Sequence, residues 1–171
     1  MVGSSIRLRG AAPPDIAFVM ATERIAGFEQ LVGRWSEEAH RAALATAGHA
    51  YLIGVDAAGE RTAFAIVRDL DDAHGNVCLK RIAVTAPGRG VGSRFVGEVV
   101  RWVFTQTAAH RLWLDVMAHN ARARHVYAAH GFVEEGVMRG AYKGADGGRI
   151  DLVLMSLLRP DWPSRPQAAV D

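Results

Sequence analysis

The sequence predicts a mixed α/β domain, an α+β arrangement built on a mostly antiparallel central sheet with one parallel crossover pair and flanking helices. Three observations carry this expectation. The apolar runs Tyr51–Val55 and Thr62–Arg68 are split by Asp56-Ala57-Ala58-Gly59, a short polar turn of the kind that closes a hairpin. A third run, Val77–Val84, is followed by a stretch from Val91 to about Gln106 in which Phe95, Val96, Val99, Val100, Val103 and Phe104 recur with helical period. A fourth run, Arg111–Met117, comes after that helix, so strands 77–84 and 111–117 can lie parallel through a right-handed crossover.

The remaining elements follow from local signals. Ile6–Arg9 reads as a short first strand, and Pro13-Pro14 as the opening of a helix to about Ile25. Ser36-Glu37-Glu38 is the capped start of a second helix, to about Ala47. Beyond the crossover, Asn120–His130 reads as a helix with Gly131 as its C-terminal cap, and Phe132–Met138 and Asp151–Leu158 as two last strands. Pro160, Pro163 and Pro166 mark a frayed end, so residues 1–160 are expected to form one domain and 161–171 a tail.

Bulk composition excludes several function classes. A chain of 171 residues, half of them hydrophobic, can bury one sizeable core and is too short for two typical domains. With a net charge of +2 and arginines scattered rather than clustered, it lacks the basic stripe of a nucleic-acid reader. No apolar window approaches the ~20 residues of a membrane helix, and the N-terminus lacks a signal-like apolar core. Cys78 is the one cysteine, so no intrachain disulfide and no multi-cysteine metal site can form. A reduced, cytoplasmic setting is the expectation.

The first candidate site is Ala86-Pro87-Gly88-Arg89-Gly90-Val91-Gly92-Ser93-Arg94, a glycine-rich turn feeding a helix N-terminus. Such a turn presents free backbone N–H groups to a phosphate or pyrophosphate. The nucleotide loops are excluded by spacing. A P-loop needs Gly-Lys-Ser/Thr, whereas Gly92 is followed by Ser93-Arg94, and either dinucleotide register needs a glycine at Ser93 or Phe95.

The second is Leu112-Trp113-Leu114-Asp115-Val116-Met117-Ala118-His119-Asn120-Ala121-Arg122-Ala123-Arg124-His125-Val126-Tyr127, followed by Gly131-Phe132. Together with the glycine turn, the stretch Leu79–Gly136 resembles the core of the GNAT superfamily of acetyltransferases, among them bacterial ribosomal-protein and small-amine acetyltransferases. In that family a strand runs into an (Arg/Gln)-x-x-Gly-x-(Gly/Ala) loop whose amides hold the CoA pyrophosphate. Gly90-Val91-Gly92 match its second half, while Pro87 stands where Arg or Gln is usual, leaving Arg89 or Arg94 to supply the charge. The strand, the Asn-x-x-Ala-x-x-x-Tyr helix and the Gly-Phe closure are present in the family's order.

The resemblance implies acetyl-CoA as cosubstrate, no metal, and direct transfer to a primary amine, of a small molecule or a protein N-terminus, in a ternary complex. A homodimer is compatible with it. The cofactor-binding set it implies is Ile82, Ala83 and Val84 through their backbone, Arg89, Gly90, Val91, Gly92, Ser93 and Arg94 in the loop, and Asn120 on the CoA arm. Asn120 has a structural role too, as a helix cap. The alternative is a degenerate CoA-binding regulatory module without catalysis.

Two residues carry the expected chemistry. Tyr127 is placed by the resemblance near the CoA sulfur, as the acid that protonates the departing thiolate; otherwise it is an aromatic of the core. Asp115 is a carboxylate in a largely apolar strand, costly there unless paired or used. Two roles stand open for it: a general base for the incoming ammonium, or an anchor for Lys80 or Arg81 on the neighbouring strand. The acceptor side is undecided, since Glu23, Glu29, Glu37 and Glu38 suit a cationic amine and Arg139, Lys143 and Arg149 an acidic one.

Overall fold

The computed structural model describes residues 5–162. In chain order the elements are β1 (Arg7–Gly10), a 3-10 turn at Pro13–Asp15, α1 (Ile16–Glu23), α2 (Glu37–Ala45), β2 (Ala50–Val55), β3 (Arg61–Arg68) and β4 (Asn76–Val84). Then follow α3 (Val91–Gln106), β5 (Arg111–Met117), α4 (Ala121–Ala129), β6 (Val133–Lys143) and β7 (Arg149–Leu158). They form the expected mixed α/β fold, a sheet of seven strands in the order β1-β2-β3-β4-β5-β7-β6.

Neighbouring strands are antiparallel except β4 and β5, which are parallel as the crossover predicts. That parallel pairing is short: Asn76, Val77 and Cys78 face Arg111, Leu112 and Trp113, and beyond them the strands separate. On its other side β4 carries a bulge, for Val67 pairs with Leu79 while Ile66 pairs with Arg81, leaving Lys80 as the extra residue. A bulge bends its strand and turns the following side chains. Here it lies where β4 leaves β5, so the sheet opens into a V-shaped cleft.

Two apolar clusters cover the sheet. On one face α3 and α4 bury Phe95, Val99 and Val103 against Leu79, Leu112, Leu114 and Met155. On the other, α1 and α2 bury Val19 and Ala43 against Ile53, Phe64, Ile66 and Ala83. Both faces of β3 are thus packed, which explains its unbroken apolar run Ala63-Phe64-Ala65-Ile66-Val67, buried at every residue.

Several boundaries differ from expectation, each for a local reason. The two prolines open a 3-10 turn, and α1 ends at Glu23, earlier than Ile25. The β6–β7 hairpin is longer than Phe132–Met138 and Asp151–Leu158 indicate. A bulge around Gly140 (φ +58°) resets the register, so that Tyr142 and Lys143 pair again with Ile150 and Arg149. The side chain of Asp151 supports that bulge by accepting from the Gly140 N–H at 2.7 Å. Pro160 lies in an ordered 3-10 turn, Arg159–Asp161, and Trp162 packs on Phe104 with ring centroids 5.4 Å apart. The rest of the expected tail, with Pro163 and Pro166, lies outside the described residues.

Candidate active site

The cleft between β4 and β5 encloses about 290 Å³. Its walls are Leu79–Ile82 of β4 and Leu114–Met117 of β5, with Asn120, Ala123 and Tyr127 of α4 beyond them. Leu31, Val32 and Gly33, between α1 and α2, close one side, and Tyr142 and Leu152 of the β6–β7 hairpin the other. Because no strand pairs with β4 beyond Cys78 on this side, its outward backbone groups are open to a ligand that lies along it. The sequence-predicted residues Ile82, Asp115, Asn120 and Tyr127 all meet here. Ala83 points instead into the α1–α2 cluster, which fits an expected backbone role.

At the end of β4 the chain enters the glycine turn. Gly88 and Gly90 have φ of +97° and +70°, a left-handed conformation that favours glycine. Gly90 stands at the N-cap position of α3, so the first-turn amides of Val91, Gly92 and Ser93 point out of the helix without intrahelical acceptors. A Cβ on Gly92 would meet Val84 Cγ1 at 3.9 Å, an ordinary contact, so Gly92 is not required by packing. Ser93 Oγ lies 3.0 Å from His130 Nε2, joining the start of α3 to the end of α4; burial holds the His130 imidazole below its ordinary pKa.

The guanidinium groups of the loop divide their roles. Arg94 folds back, donating to the Arg89 carbonyl at 3.4 Å. Arg122, in the first turn of α4, brings Nη2 to 3.8 Å from where a Cβ on Gly88 would stand. It is exposed and has no ion pair among the described residues. A third cation therefore reaches the turn in which Pro87 replaces the usual charged residue. Sequence reasoning missed it, because its signal was only an arginine on a different helix.

On the far wall, Asn120 caps α4, its Oδ1 accepting from the Ala123 N–H at 3.1 Å. Tyr127 is 8% exposed and packs on Phe132 with centroids 5.8 Å apart, while its hydroxyl has no hydrogen-bond partner among the described residues. Burial, and then the negative charge of Asp115, push the phenol well above its ordinary pKa, so it is protonated at neutral pH. Asp115 is half-buried and pairs with neither Lys80 nor Arg81.

Arg81 is engaged elsewhere, in a network that sequence reasoning did not see. Its Nη1 lies 2.5 Å from Glu23 Oε1, and its guanidinium stacks on Trp35 at 4.5 Å. Glu23 Oε2 lies 3.1 Å from His40 Nε2, and His40 Nδ1 is 3.0 Å from the Tyr51 hydroxyl. Burial raises the Glu23 pKa, but the His40 hydrogen bond and the Arg81 charge outweigh it and leave the carboxyl below its ordinary value. Burial pushes Tyr51 up to about 12.

Other chemistry finds little support. Burial pushes the Cys78 thiol up to about 11, so it is no nucleophile at neutral pH. Among the described residues no group of three or more His, Cys, Asp or Glu could hold a metal ion, and no helix is long and apolar enough to cross a membrane. A second recess of about 390 Å³ lies between Pro13–Met20 and α2, but its charged residues Glu37 and Arg41 are paired with each other at 2.6 Å.

Residues 18–132 match the sequence model of the Acetyltransferase (GNAT) family. Among solved structures, the fold is similar to spermidine N-acetyltransferase from Vibrio cholerae in complex with CoA and spermine: TM-score 0.80, 19% identity, covering 93% of this chain and 98% of that one. A K23-Q34 chimera of the Vibrio cholerae enzyme SpeG and hSSAT gives TM-score 0.84 at 20% identity, covering 95% of this chain and 100% of that one. At these identities the structures speak for the fold alone, whereas the family match spans most of the chain. The chain therefore belongs to the GNAT acetyltransferase family, as an acetyl-CoA-dependent N-acetyltransferase.

Proposed function

We propose that the cleft transfers acetyl from acetyl-CoA to a primary amine directly, with Tyr127 as acid and Asp115 as base. The observation that carries the reading is the meeting of two unpaired groups, a protonated phenol and a carboxylate, in one cleft beside an open strand edge. The amides of Val91, Gly92 and Ser93, with Arg122 above Gly88, suit the pyrophosphate of the cosubstrate. In this reading the backbone of Ile82–Val84 pairs with its pantetheine arm and Asn120 meets the same arm, which the position of Ile82 and Asn120 in the cleft lining supports.

The acceptor enters as an ammonium and gives a proton to Asp115, directly or through water. Its nitrogen lone pair attacks the thioester carbonyl, the C–S bond breaks, and the Tyr127 hydroxyl passes its proton to the departing sulfur. As the adduct collapses its nitrogen loses the second proton to solvent; amide and free CoA are the products, Asp115 releases its proton to solvent, and Tyr127 recovers one from it. The elevated phenol pKa guarantees a proton to give but makes Tyr127 a weaker acid than an exposed tyrosine, so its contribution belongs at the low end of acid catalysis, ~10–10²-fold.

A module that held CoA without catalysis would have no use for unpaired Asp115 and Tyr127 in the same cleft. A cytoplasmic setting belongs to this reading, supported by a lone, buried cysteine. The test is thiol release from acetyl-CoA in the presence of a panel of primary amines. Acetyl-CoA binding with no amine-dependent thiol release would overturn the enzyme reading in favour of the binding module.

A further inference from the structure

The charges of the acceptor side, balanced in the sequence, separate once their partners are located. Every acidic side chain with which the first two helices might attract a cation, Glu38 apart, is already engaged. Glu23 is fully buried beneath Arg81 and His40, Glu29 lies 3.8 Å from Arg34, and Glu37 pairs with Arg41 at 2.6 Å. Glu38 sits on the surface of α2 and does not line the cleft. Arg139, Lys143 and Arg149 likewise lie outside the cleft lining, on the exposed hairpin.

The charged residues that do line the cleft are Lys80, Arg81 and Asp115. Lys80 is the bulged residue of β4 and Asp115 stands on β5, so the two face the cleft from opposite walls. Neither has an ion pair among the described residues. Arg81 is held rigid by Glu23 through Nη1 and by the Trp35 ring, while its Nη2 edge turns toward Gly33. A Cβ on Gly33 would stand 2.7 Å from that Nη2, so a side chain there would push on the end of the guanidinium. The acceptor side is thus dipolar: a carboxylate on one wall, an unpaired ammonium and a fixed guanidinium on the other.

We infer that the acceptor is a primary amine carrying an anionic group, carboxylate or phosphate, a few bonds from its nitrogen. Asp115 takes the ammonium, and Lys80 takes the anion, with the buried Arg81 guanidinium adding positive charge behind it. A linear polyamine, cationic along its length, would put like charge against Lys80 and is disfavoured. This inference rests on the proposed transfer reaction and adds the acceptor class to it.

The experiment compares kcat/KM for β-alanine, 2-aminoethyl phosphate, propylamine and spermidine, with the acetyl-CoA Kd and the Tm of each variant measured alongside. An anionic acceptor should exceed propylamine by about tenfold or more, the worth of one charge-assisted contact. β-Alanine and 2-aminoethyl phosphate distinguish carboxylate from phosphate. Lys80→Gln should bring that ratio toward unity by raising KM for the anionic acceptor, and Lys80→Glu should shift preference toward spermidine, with acetyl-CoA Kd unchanged in both. Gly33→Ala should raise KM for the anionic acceptor without moving the acetyl-CoA Kd. Propylamine or spermidine equal to or better than both anionic acceptors, or a ratio untouched by Lys80→Gln, would overturn the acceptor class while leaving the transferase reading intact. No turnover with any of the four, acetyl-CoA still binding, would overturn the transfer reading itself and this inference with it.

Discussion

Arg81 on β4 and Glu23 at the end of α1, 58 residues apart, form a buried ion pair of 2.5 Å that fastens the first helix to the strand bordering the cleft. Removing one partner of such a pair strands the other charge in the core, at a cost of about 3–5 kcal/mol. Glu23→Gln should therefore lower Tm by on the order of 10 °C for a domain of this size, and Glu23→Gln with Arg81→Met should recover part of the loss. Thermal melts of the two variants check this; a single variant as stable as the parent contradicts it.

The same pair makes stability pH-dependent with a definite sign. The Glu23 carboxyl is held below its ordinary value of 4.5, so the folded state binds a proton less readily than the unfolded one. Its contribution is full above that value and is lost as pH falls through the lowered one. In Tm measured against pH, the parent should decline in acid below 4.5 and Glu23→Gln should decline less steeply over the same window.

Tyr127→Phe removes a hydroxyl that bonds to nothing among the described residues and keeps the ring that packs on Phe132. The variant should fold and bind acetyl-CoA as the parent does while turnover falls about ten- to a hundred-fold. Isothermal titration with acetyl-CoA and a chemistry-limited thiol-release assay measure the two halves. Unaltered turnover would return Tyr127 to packing alone.

Asp115→Asn is a cleaner test than the sequence allowed, because Lys80 and Arg81 do not depend on this carboxylate. Stability should change little, acetyl-CoA affinity should hold, and turnover should fall on the order of 10²-fold. A chemistry-limited thiol-release assay on this one variant decides; unchanged turnover would exclude Asp115 as the base.

The glycine turn separates backbone from ligand. Gly90, with φ of +70°, cannot be replaced without strain, whereas Gly92 has room for a Cβ. Gly92→Val should leave the fold nearly intact and weaken acetyl-CoA binding on the order of tenfold, because a side chain there obstructs the amides. Arg122→Ala should weaken the same affinity several-fold, with a loss that shrinks at high salt as screening predicts. Affinity unmoved in both variants would dissociate this turn from the cosubstrate.

What the sequence determined by itself was local or evenly spaced: the helical period of α3, the turn between β2 and β3, the glycine loop, and the run from Asp115 to Tyr127. These depend on neighbours within a few residues, where backbone preference and side-chain period decide the outcome. The tertiary structure decided what depends on pairing across the chain. The bulge at Lys80, the separation of β4 from β5 after three paired residues, and the partnership of Arg81 with Glu23 rather than Asp115 arise from contacts between distant segments. For the same reason the acceptor charges could be counted in the sequence but not assigned. A carboxylate attracts a ligand only if no neighbour has already neutralised it, and which neighbour does so is settled when helix and strand pack, as Glu23 and Arg81 do beneath the cleft.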